Sequence, residues 1–203
     1  ATAIFSIVYT LLMKPLEFPD GDRLVRVWEL TAERERFSAS GPDYLDFVEG
    51  TTSFESLAAY NDMRRSLTLT GSGEPARIEA VPVTASFFTV LGVRPAMGRG
   101  FLDAEDRPGA DAQRIVLSHA LWRERFGASA SAIDTVVTLD RQPYRVVGVM
   151  PEGFAFPFDA EAWVPAVPAS AAMAEGKALE VLGRLHGGVT IEQARADLQG
   201  VAA

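Results

Sequence analysis

The stretch that decides the fold is Gly92-Val93-Arg94-Pro95-Ala96-Met97-Gly98-Arg99-Gly100-Phe101. Its three glycines and one proline are typical of a backbone that turns several times between packed elements. Two other stretches, Leu117 to Gly127 and Val147 to Pro151, add further turn and core signals in a fixed order. None of the three provides a nucleophile with its base or a cage of metal ligands. The set therefore indicates a scaffold of defined shape and argues against catalysis.

Composition excludes several classes of function. The chain has 203 residues, which allows one large domain or two small ones with a real core. Its net charge of −8, with no basic run longer than Arg64-Arg65, argues against a nucleic-acid partner, because phosphate binding needs a clustered basic face. It has no cysteine, which excludes disulfides, zinc–thiolate sites, iron–sulfur clusters and thiol nucleophiles. We predict no cofactor and no metal.

Residues 1–13 form an uncharged apolar run that Lys14-Pro15 ends. The run is too short to cross a bilayer, which needs about 20 apolar residues. It also lacks the basic start and the cleavage site of a complete signal peptide. These residues alone leave two interpretations open, a buried helix or the outer end of a membrane helix.

Turn and capping signals divide the rest of the chain. Ser40, with an acid three residues later, predicts a helix that Gly50 ends. Ser53 predicts a second, short helical turn, and Gly71-Ser72-Gly73 predicts the turn of a β-hairpin between residues 66 and 84. The other predicted elements include helices starting near Phe87 and Ser118, strands at 24–30, 135–139, 144–150 and 179–186, and a final helix capped by Thr190 and Gln193.

Two groups of residues could carry chemistry. The acidic loop 103–111 could bind calcium, but its ligand order does not follow the EF-hand and Arg107 lies among the acids, so a solvated acidic turn is favoured. Ser118 beside His119 could suggest a nucleophile and base, but adjacent residues at a helix start point in different directions, so Ser118 is predicted as an N-cap. We therefore predict no catalytic residue and no metal-binding residue.

Taken together, the motifs resemble the MacB-like periplasmic core domain of FtsX-type ABC transporter permeases, closest to the duplicated orphan permeases of that group. The residues that carry the resemblance are Ala3 to Ser6, Leu11 to Leu16, Asp22 to Trp28, Pro42 to Asp46, Ser53 to Tyr60, Phe87 to Pro95, Gly98 to Phe101 with Glu105-Asp106, Leu117 to Gly127, Val147 to Phe154 and Trp163 to Pro165. Each motif alone is weak, whereas their joint order over most of the chain is specific.

The resemblance implies an α+β fold with two lobes. Residues 1–22 would be the end of a membrane helix and a juxtamembrane segment. A porter-like βαβ lobe would comprise residues 23–96 and 177–203. A mainly β, Sabre-like lobe would be inserted between them at residues 97–176.

The resemblance also implies a function without chemistry of its own. The chain would be the periplasmic domain of an inner-membrane ABC transporter permease and would transmit ATP-driven motion for export, extraction or envelope signalling. Its partners would be the membrane, a cytoplasmic ATPase subunit, and a second permease domain or a homodimer. The alternative from another class is a stand-alone periplasmic module that binds a solute or lipid in one closed apolar pocket.

Two sets of residues follow as site predictions. Phe154, Phe156 and Phe158 are candidate contacts for a partner or substrate, although core packing is the favoured role of these aromatic side chains. The residues predicted to shape the scaffold are Gly92, Pro95, Gly98, Arg99, Phe101, Trp122, Phe126, Gly127, Gly148 and Pro151.

Overall fold

The computed structural model describes residues 4–8, 18–30, 36–170, 173 and 178–201. Within these ranges the fold is α+β, as predicted. The strands are β1 (Ile4–Val8), β2 (Leu24–Leu30), β3 (Arg36–Phe37), β4 (Phe54–Asn61), β5 (Arg65–Thr70), β6 (Ala76–Val83), β7 (Met97–Gly98), β8 (Arg114–Leu117), β9 (Val136–Leu139), β10 (Gln142–Val149), β11 (Ala162–Pro165) and β12 (Leu179–Leu185). The helices are α1 (Gly41–Gly50), α2 (Phe87–Leu91), α3 (His119–Phe126) and α4 (Ile191–Val201).

The chain forms two compact units. Unit 1 comprises Ala1–Asp62, Ser86–Val93 and Val167–Ala203, and unit 2 comprises Met63–Ala85 and Arg94–Ala166. Residues 63–85 thus lie in unit 2, whereas the family resemblance places them in the first lobe. The physical reason is that the β5–β6 hairpin pairs with strands of the later segment. The boundary predicted between residues 176 and 177 lies outside the described residues.

Unit 1 contains an antiparallel sheet in the order β1-β2-β12-β4, with β3 paired to β2. Strand β12 lies in the centre, so the C-terminal part of the chain joins two N-terminal strands. One face of the sheet supplies Val25, Val27 and Val181 to a buried core. Helices α1 and α4 cover this core with Phe47 and Leu198, among others.

The predicted helix caps of unit 1 are confirmed. The Ser40 hydroxyl accepts from the amide of Asp43, and the Asp43 carboxylate accepts from the amide of Ser40, which is a complete capping box at α1. At α4, the backbone amide of Thr190 donates to Oε1 of Gln193 at 2.8 Å, and the backbone amide of Gln193 donates to the Thr190 hydroxyl at 3.3 Å. Both helices therefore begin where the sequence predicts.

Unit 2 is a closed ring of six strands in the order β6-β11-β8-β10-β9-β5, and β5 also pairs with β6. The β6–β11 and β8–β10 pairs are parallel, and the other pairs around the ring are antiparallel. Inward side chains such as Leu69, Ile115 and Val146 fill the ring. Closure leaves few free strand edges, which favours a rigid unit.

Two local predictions are wrong. The residues after Ser53 form the strand β4 and not a helical turn, because Phe54, Leu57 and Ala59 contribute to the unit 1 core while β4 pairs with β12 along its length. Residues 4–8 form β1, paired with β2, where the apolar run predicts a helix; the rest of the run 1–13 lies outside the described residues. In both places, sheet pairing decided the local structure.

Candidate functional site

Gly98 and Gly148, from two of the predicted scaffold motifs, lie opposite each other where β7 pairs with β10. A Cβ added to Gly98 would overlap the carbonyl oxygen of Val147, and one added to Gly148 would overlap that of Arg99. The backbones therefore approach too closely for any side chain. The approach is fixed by the amide of Arg99, which donates to the Val147 carbonyl at 2.8 Å.

The Arg99 side chain starts an ion network beside this close approach. Its two Nη atoms donate to the two carboxylate oxygens of Glu105 at 2.9 and 2.8 Å. Glu105 is also held by the amide of Leu102 at 2.9 Å and by Nε of Arg114 at 3.3 Å. Arg114 in turn pairs with Asp111 at 2.8 Å. A bidentate guanidinium–carboxylate pair with these additional donors fixes both position and orientation.

Electrostatics make the Glu105 carboxylate a stable anion. Burial alone would raise the pKa of Glu105, but the hydrogen bonds from Arg99 and Leu102 outweigh it and lower the pKa below its ordinary value. Glu105 is only 7% exposed, so the prediction of a solvated acidic turn is wrong at this residue. A carboxylate with two arginines and an amide as partners is suited to holding structure and not to transferring protons.

Hydrogen bonds and an ion pair engage two more acids of loop 103–111. Asp106 is half-buried and accepts the amide of Ala85 at 2.8 Å, and burial raises its pKa. Among the described residues, no three His, Cys, Asp or Glu side chains lie close enough together to hold a metal ion. Hydrogen bonds and ion pairs already engage Glu105, Asp106 and Asp111 in this loop.

Four of the remaining scaffold residues lie at helix ends or pack against the ring core. Gly92 and Gly127 end α2 and α3 in the left-handed region, with φ of 70° and 58°. Trp122 and Phe126 pack against the unit 2 core, and the indole of Trp122 donates to the carbonyl of Ser129 at 2.9 Å. The other three are buried (Phe101) or half-buried (Pro95 and Pro151).

The three candidate contact residues are split by burial. Phe154 is buried with its ring centroid 5.2 Å from that of Trp163, and Phe156 is buried with its carbonyl accepting the Trp163 indole at 2.9 Å. Phe158 is 38% exposed, and Arg64 donates to its carbonyl at 3.4 Å. Phe158 is thus the member of the set that a partner could reach on the surface of the folded unit.

Ser118 caps a helix, and the two histidines lie beside Trp122 and at the end of β12. The Ser118 hydroxyl accepts the amide of Leu121 at 3.1 Å, which confirms it as the N-cap of α3. The His119 ring lies 5.4 Å from the Trp122 ring, centroid to centroid, and His186 is exposed at the end of β12. The Ser118 oxygen therefore serves the helix terminus.

A shallow cleft of about 510 Å³ lies on unit 2. It is lined by Thr68, Thr70, Thr138, Asp140 and Arg141. Asp140 closes the ring at this point, because its carboxylate accepts the amide of Thr68 at 2.8 Å and its own amide donates to the Thr68 carbonyl at 3.1 Å. The cleft is open, and its lining residues are threonines and two charged residues.

Unit 1 contains a second arginine site, which the sequence did not predict. Arg184 on β12 is 5% exposed, and its guanidinium donates to two backbone carbonyls, those of Val90 at 2.8 Å and Asp20 at 3.3 Å. Nearby, Arg23 binds the carboxylates of Asp20 and Glu55. The signal in the sequence is an arginine near the end of a largely apolar strand, and this signal does not reveal the partners of Arg184.

Comparison with known proteins identifies the family. The sequence model of the family described as MacB-like periplasmic core domain matches residues 1–201. The chain belongs to the family of MacB-like periplasmic core domains. It is therefore an extracytoplasmic domain of the MacB-like ABC transporter permeases, as the resemblance of its motifs predicted. No curated protein sequence matches the chain.

Two solved structures share the fold of this MacB-like domain. The periplasmic region of MacB from Actinobacillus actinomycetemcomitans superimposes with a TM-score of 0.66 at 15% identity, covering 88% of this chain and 81% of that one. The extracellular domain of the noncanonic ABC-type transporter YknZ from Gram-positive bacteria gives a TM-score of 0.58 at 19% identity, covering 79% and 78%. In the part of the chain that the structure describes, no helix combines the length and apolar character needed to cross a membrane.

Proposed function

We propose that this MacB-like domain transmits ATP-driven movement of a permease to the extracytoplasmic side of the cell inner membrane. A separate cytoplasmic ATPase subunit hydrolyses the ATP, and the rest of the permease anchors the domain to the membrane. The movement serves the export or extraction of a substrate, or signalling to an envelope partner. The domain makes and breaks no covalent bond itself.

The observation that carries this proposal is the family match over residues 1–201. The side chains around the predicted motifs support it. Ser118 caps a helix, and Glu105 is held by Arg99 and Arg114, so these groups position backbone and not substrate. Each unit also has its own buried core, which suits a part that transmits force without deforming.

We further propose that the domain works beside a second permease domain, either of a homologous half or of an identical copy. Movement that brings two such domains together and apart requires two packed states that differ in contacts. Phe158 is the surface aromatic residue that we retain as a contact in such a pair or with substrate. The predicted scaffold residues then keep each domain rigid.

Distance measurements between spin labels test the proposal directly. The chain contains no cysteine, so a single Glu49→Cys substitution on the exposed end of α1 gives one labelling position in this domain. In the complete permease with its ATPase, reconstituted in a bilayer, we expect the distance between labels on paired domains to differ between the ATP-bound and ADP-bound states.

An ATPase variant that binds but cannot hydrolyse ATP is the control, and it should hold the labels in one state. A distance distribution that stays the same in every nucleotide state would refute transmission. A stand-alone binding module would give that result and would in addition release a bound solute or lipid that mass spectrometry can identify.

A further inference from the structure

The buried guanidinium of Arg184 lacks part of its expected hydrogen bonding. Its side chain leaves β12 on the face opposite Val181, away from the unit 1 core. Nε donates to the Val90 carbonyl and Nη1 to the Asp20 carbonyl, but buried Nη2 has no hydrogen-bond partner within the described ranges. A guanidinium has five N–H donors, and leaving the two donors of Nη2 buried and unpaired destabilises this arrangement.

The same guanidinium makes no ion pair with any carboxylate of the described residues. Desolvation is the main cause that lowers the pKa of Arg184, and the positive charge of Arg23 lowers it further. The carboxylates of Glu55, Asp20 and Asp22 lie near enough to oppose this effect through space. A charge buried in this way is costly unless an anion reaches it.

The anions that Arg184 lacks are held by Arg23. Arg23 donates to Asp20 Oδ2 at 3.1 Å and to Glu55 Oε2 at 2.9 Å, and also to the carbonyl of Leu185 at 3.0 Å. Both carboxylates are largely exposed, and such surface pairs contribute little to stability. Breaking one of these pairs therefore costs little.

The backbone of the same segment is strained. Asp20 has φ of 50° and ψ of 45°, in the left-handed region that non-glycine residues visit only at a cost. It stands directly before the short 3-10 turn Gly21–Arg23. A small rotation at Asp20 changes the position of its carboxylate relative to both arginines.

We propose that residues 19–23 form a two-position latch in which Arg23 and Arg184 compete for the carboxylate of Asp20. The structure shows the first position, with both carboxylates on Arg23. In the second position, the Asp20 carboxylate accepts from Nη2 of Arg184, and Arg23 keeps Glu55. Arg184 is a positioning residue in this device.

The latch joins the segment before β2 to the end of α2. Val90, whose carbonyl holds Nε of Arg184, lies in the last turn of α2, where carbonyl groups favour a cation. Gly92 leaves the space for this contact, since a Cβ there would lie 3.2 Å from Nη2 and 3.4 Å from the Pro19 side chain. The chain enters unit 2 two residues later, at Arg94. The role of the latch in transmission rests on the proposed function, whereas its existence depends only on unit 1.

A double-mutant cycle tests the competition. In the complete permease without nucleotide, we would measure amide hydrogen exchange of residues 19–24 and 89–93 in the parent, Arg184→Met, Arg23→Gln and the double variant. In Arg184→Met we expect about tenfold faster exchange at Gly92 and Val93, whose amides close the end of α2. In the Arg23→Gln variant, Arg184 binds a carboxylate. Adding Arg184→Met to that variant should therefore accelerate exchange by a factor at least about threefold larger than it does in the parent.

Arg123→Met is the matched control, because Arg123 is exposed on α3 of unit 2 and should leave both segments unchanged. Equal effects of Arg184→Met in the two backgrounds would overturn the latch. Faster exchange spread evenly over β8 and β10 would also overturn it, since it would show global unfolding. Neither outcome bears on the spin-label distances, which test transmission separately.

A second arm connects the latch to movement. With ATP against ADP, we expect the exchange of residues 19–24 to change in the parent and to stay constant in Arg184→Met. Spin-label distances that change with nucleotide while residues 19–24 exchange identically in the parent would show that movement bypasses the latch, and would refute its role.

Discussion

Arg99 of unit 2 and Arg184 of unit 1 are two arginines in very different surroundings. Arg99 meets Glu105 through two hydrogen bonds of 2.9 and 2.8 Å, and Arg114 completes the neutralisation. Arg184 is more deeply buried, donates to backbone carbonyls and leaves one nitrogen unpaired within the described residues. The hydrogen bonding of Arg99 is satisfied in one arrangement, whereas Arg184 has the proposed second arrangement, in which it binds the Asp20 carboxylate.

The difference indicates that the two arginines have different roles, one in each unit. A bidentate ion pair beside the close approach of Gly98 and Gly148 fixes the strands of unit 2 in one geometry. An unsatisfied guanidinium beside exposed carboxylates leaves the turn before β2 with an alternative partner. We expect substitutions in unit 2 to destabilise the whole unit and those at Arg184 to act locally.

The largest expected effect comes from Gly148→Ala. The new Cβ would overlap the carbonyl oxygen of Arg99, a backbone atom that cannot move without breaking the β7–β10 pairing. We expect a loss of about 3 kcal/mol in the free energy of unfolding of unit 2, at the upper end for overpacking. Urea denaturation followed by tryptophan fluorescence measures it.

Gly187→Ala is the control for this prediction, because a Cβ at Gly187 would meet no atom within 4 Å and the φ of Gly187 is not in the left-handed region. It should change the free energy of unfolding by less than about 0.5 kcal/mol. Equal stability of Gly148→Ala and Gly187→Ala would show that the β7–β10 contact can relax.

The next effect comes from Glu105→Gln, which keeps the shape but removes the charge. Arg99 and Arg114 then lose their shared anion, and we expect about 2 kcal/mol of destabilisation, since hydrogen bonds to charged groups are worth more than neutral ones. Asp111→Asn provides the comparison, because Asp111 is largely exposed and its pair with Arg114 should contribute little. If both variants unfold alike, the network is not the fixed point of unit 2.

Acid should reproduce part of this loss. The pKa of Glu105 is lowered on folding from its ordinary 4.5, so its contribution to stability is complete well above that pH and is lost as pH falls through the folded value. The pKa of Asp106 is raised on folding, so the contribution of Asp106 to stability increases as pH falls. We therefore expect Glu105→Gln to flatten the pH dependence of stability between about pH 5 and pH 3, measured by urea denaturation in each buffer. An unchanged slope would contradict the assignment.

The sequence predicted features that depend on near neighbours along the chain. The capping boxes at Ser40 and Thr190 and the N-cap at Ser118 are confirmed, because a cap is formed within about four residues. The β5–β6 hairpin is confirmed for the same reason. The family resemblance, which uses the order of many such signals, is confirmed by the match over residues 1–201.

Features that depend on distant partners were missed or misplaced. β4 has a helix-like start at Ser53, but its pairing with β12, at the far end of the chain, determines its structure. Residues 63–85 belong with unit 2 because β6 pairs with β11. The burial of Glu105 is not predicted because its guanidinium partner on Arg114 is not evident from sequence. The role of Arg184 was missed because its partners are backbone carbonyls, which every residue has, so no residue type in the sequence marks them.

Arg184→Met should have the smallest effect on overall stability. It also gives the sharpest contrast with substitution of Arg99. The substitution loses two hydrogen bonds to carbonyls but also removes a buried charge with an unpaired nitrogen, and the two consequences oppose each other. We expect a change below about 1 kcal/mol in the free energy of unfolding, measured as for the unit 2 variants. The matched Arg99→Met should cost about 2 kcal/mol, because it leaves buried Glu105 with one guanidinium fewer.

An Arg184→Met variant that loses as much stability as Arg99→Met would show that both arginines are fixed supports, and the contrast between the units would disappear. A nearly unchanged free energy of unfolding, together with faster exchange at Gly92 and Val93, is the combination that the competing arrangement explains. In that arrangement, Arg184 stabilises the end of α2 but contributes little to the stability of the whole unit. The two can be separated because fraying of the end of α2 breaks the hydrogen bond to the Val90 carbonyl while the guanidinium stays buried.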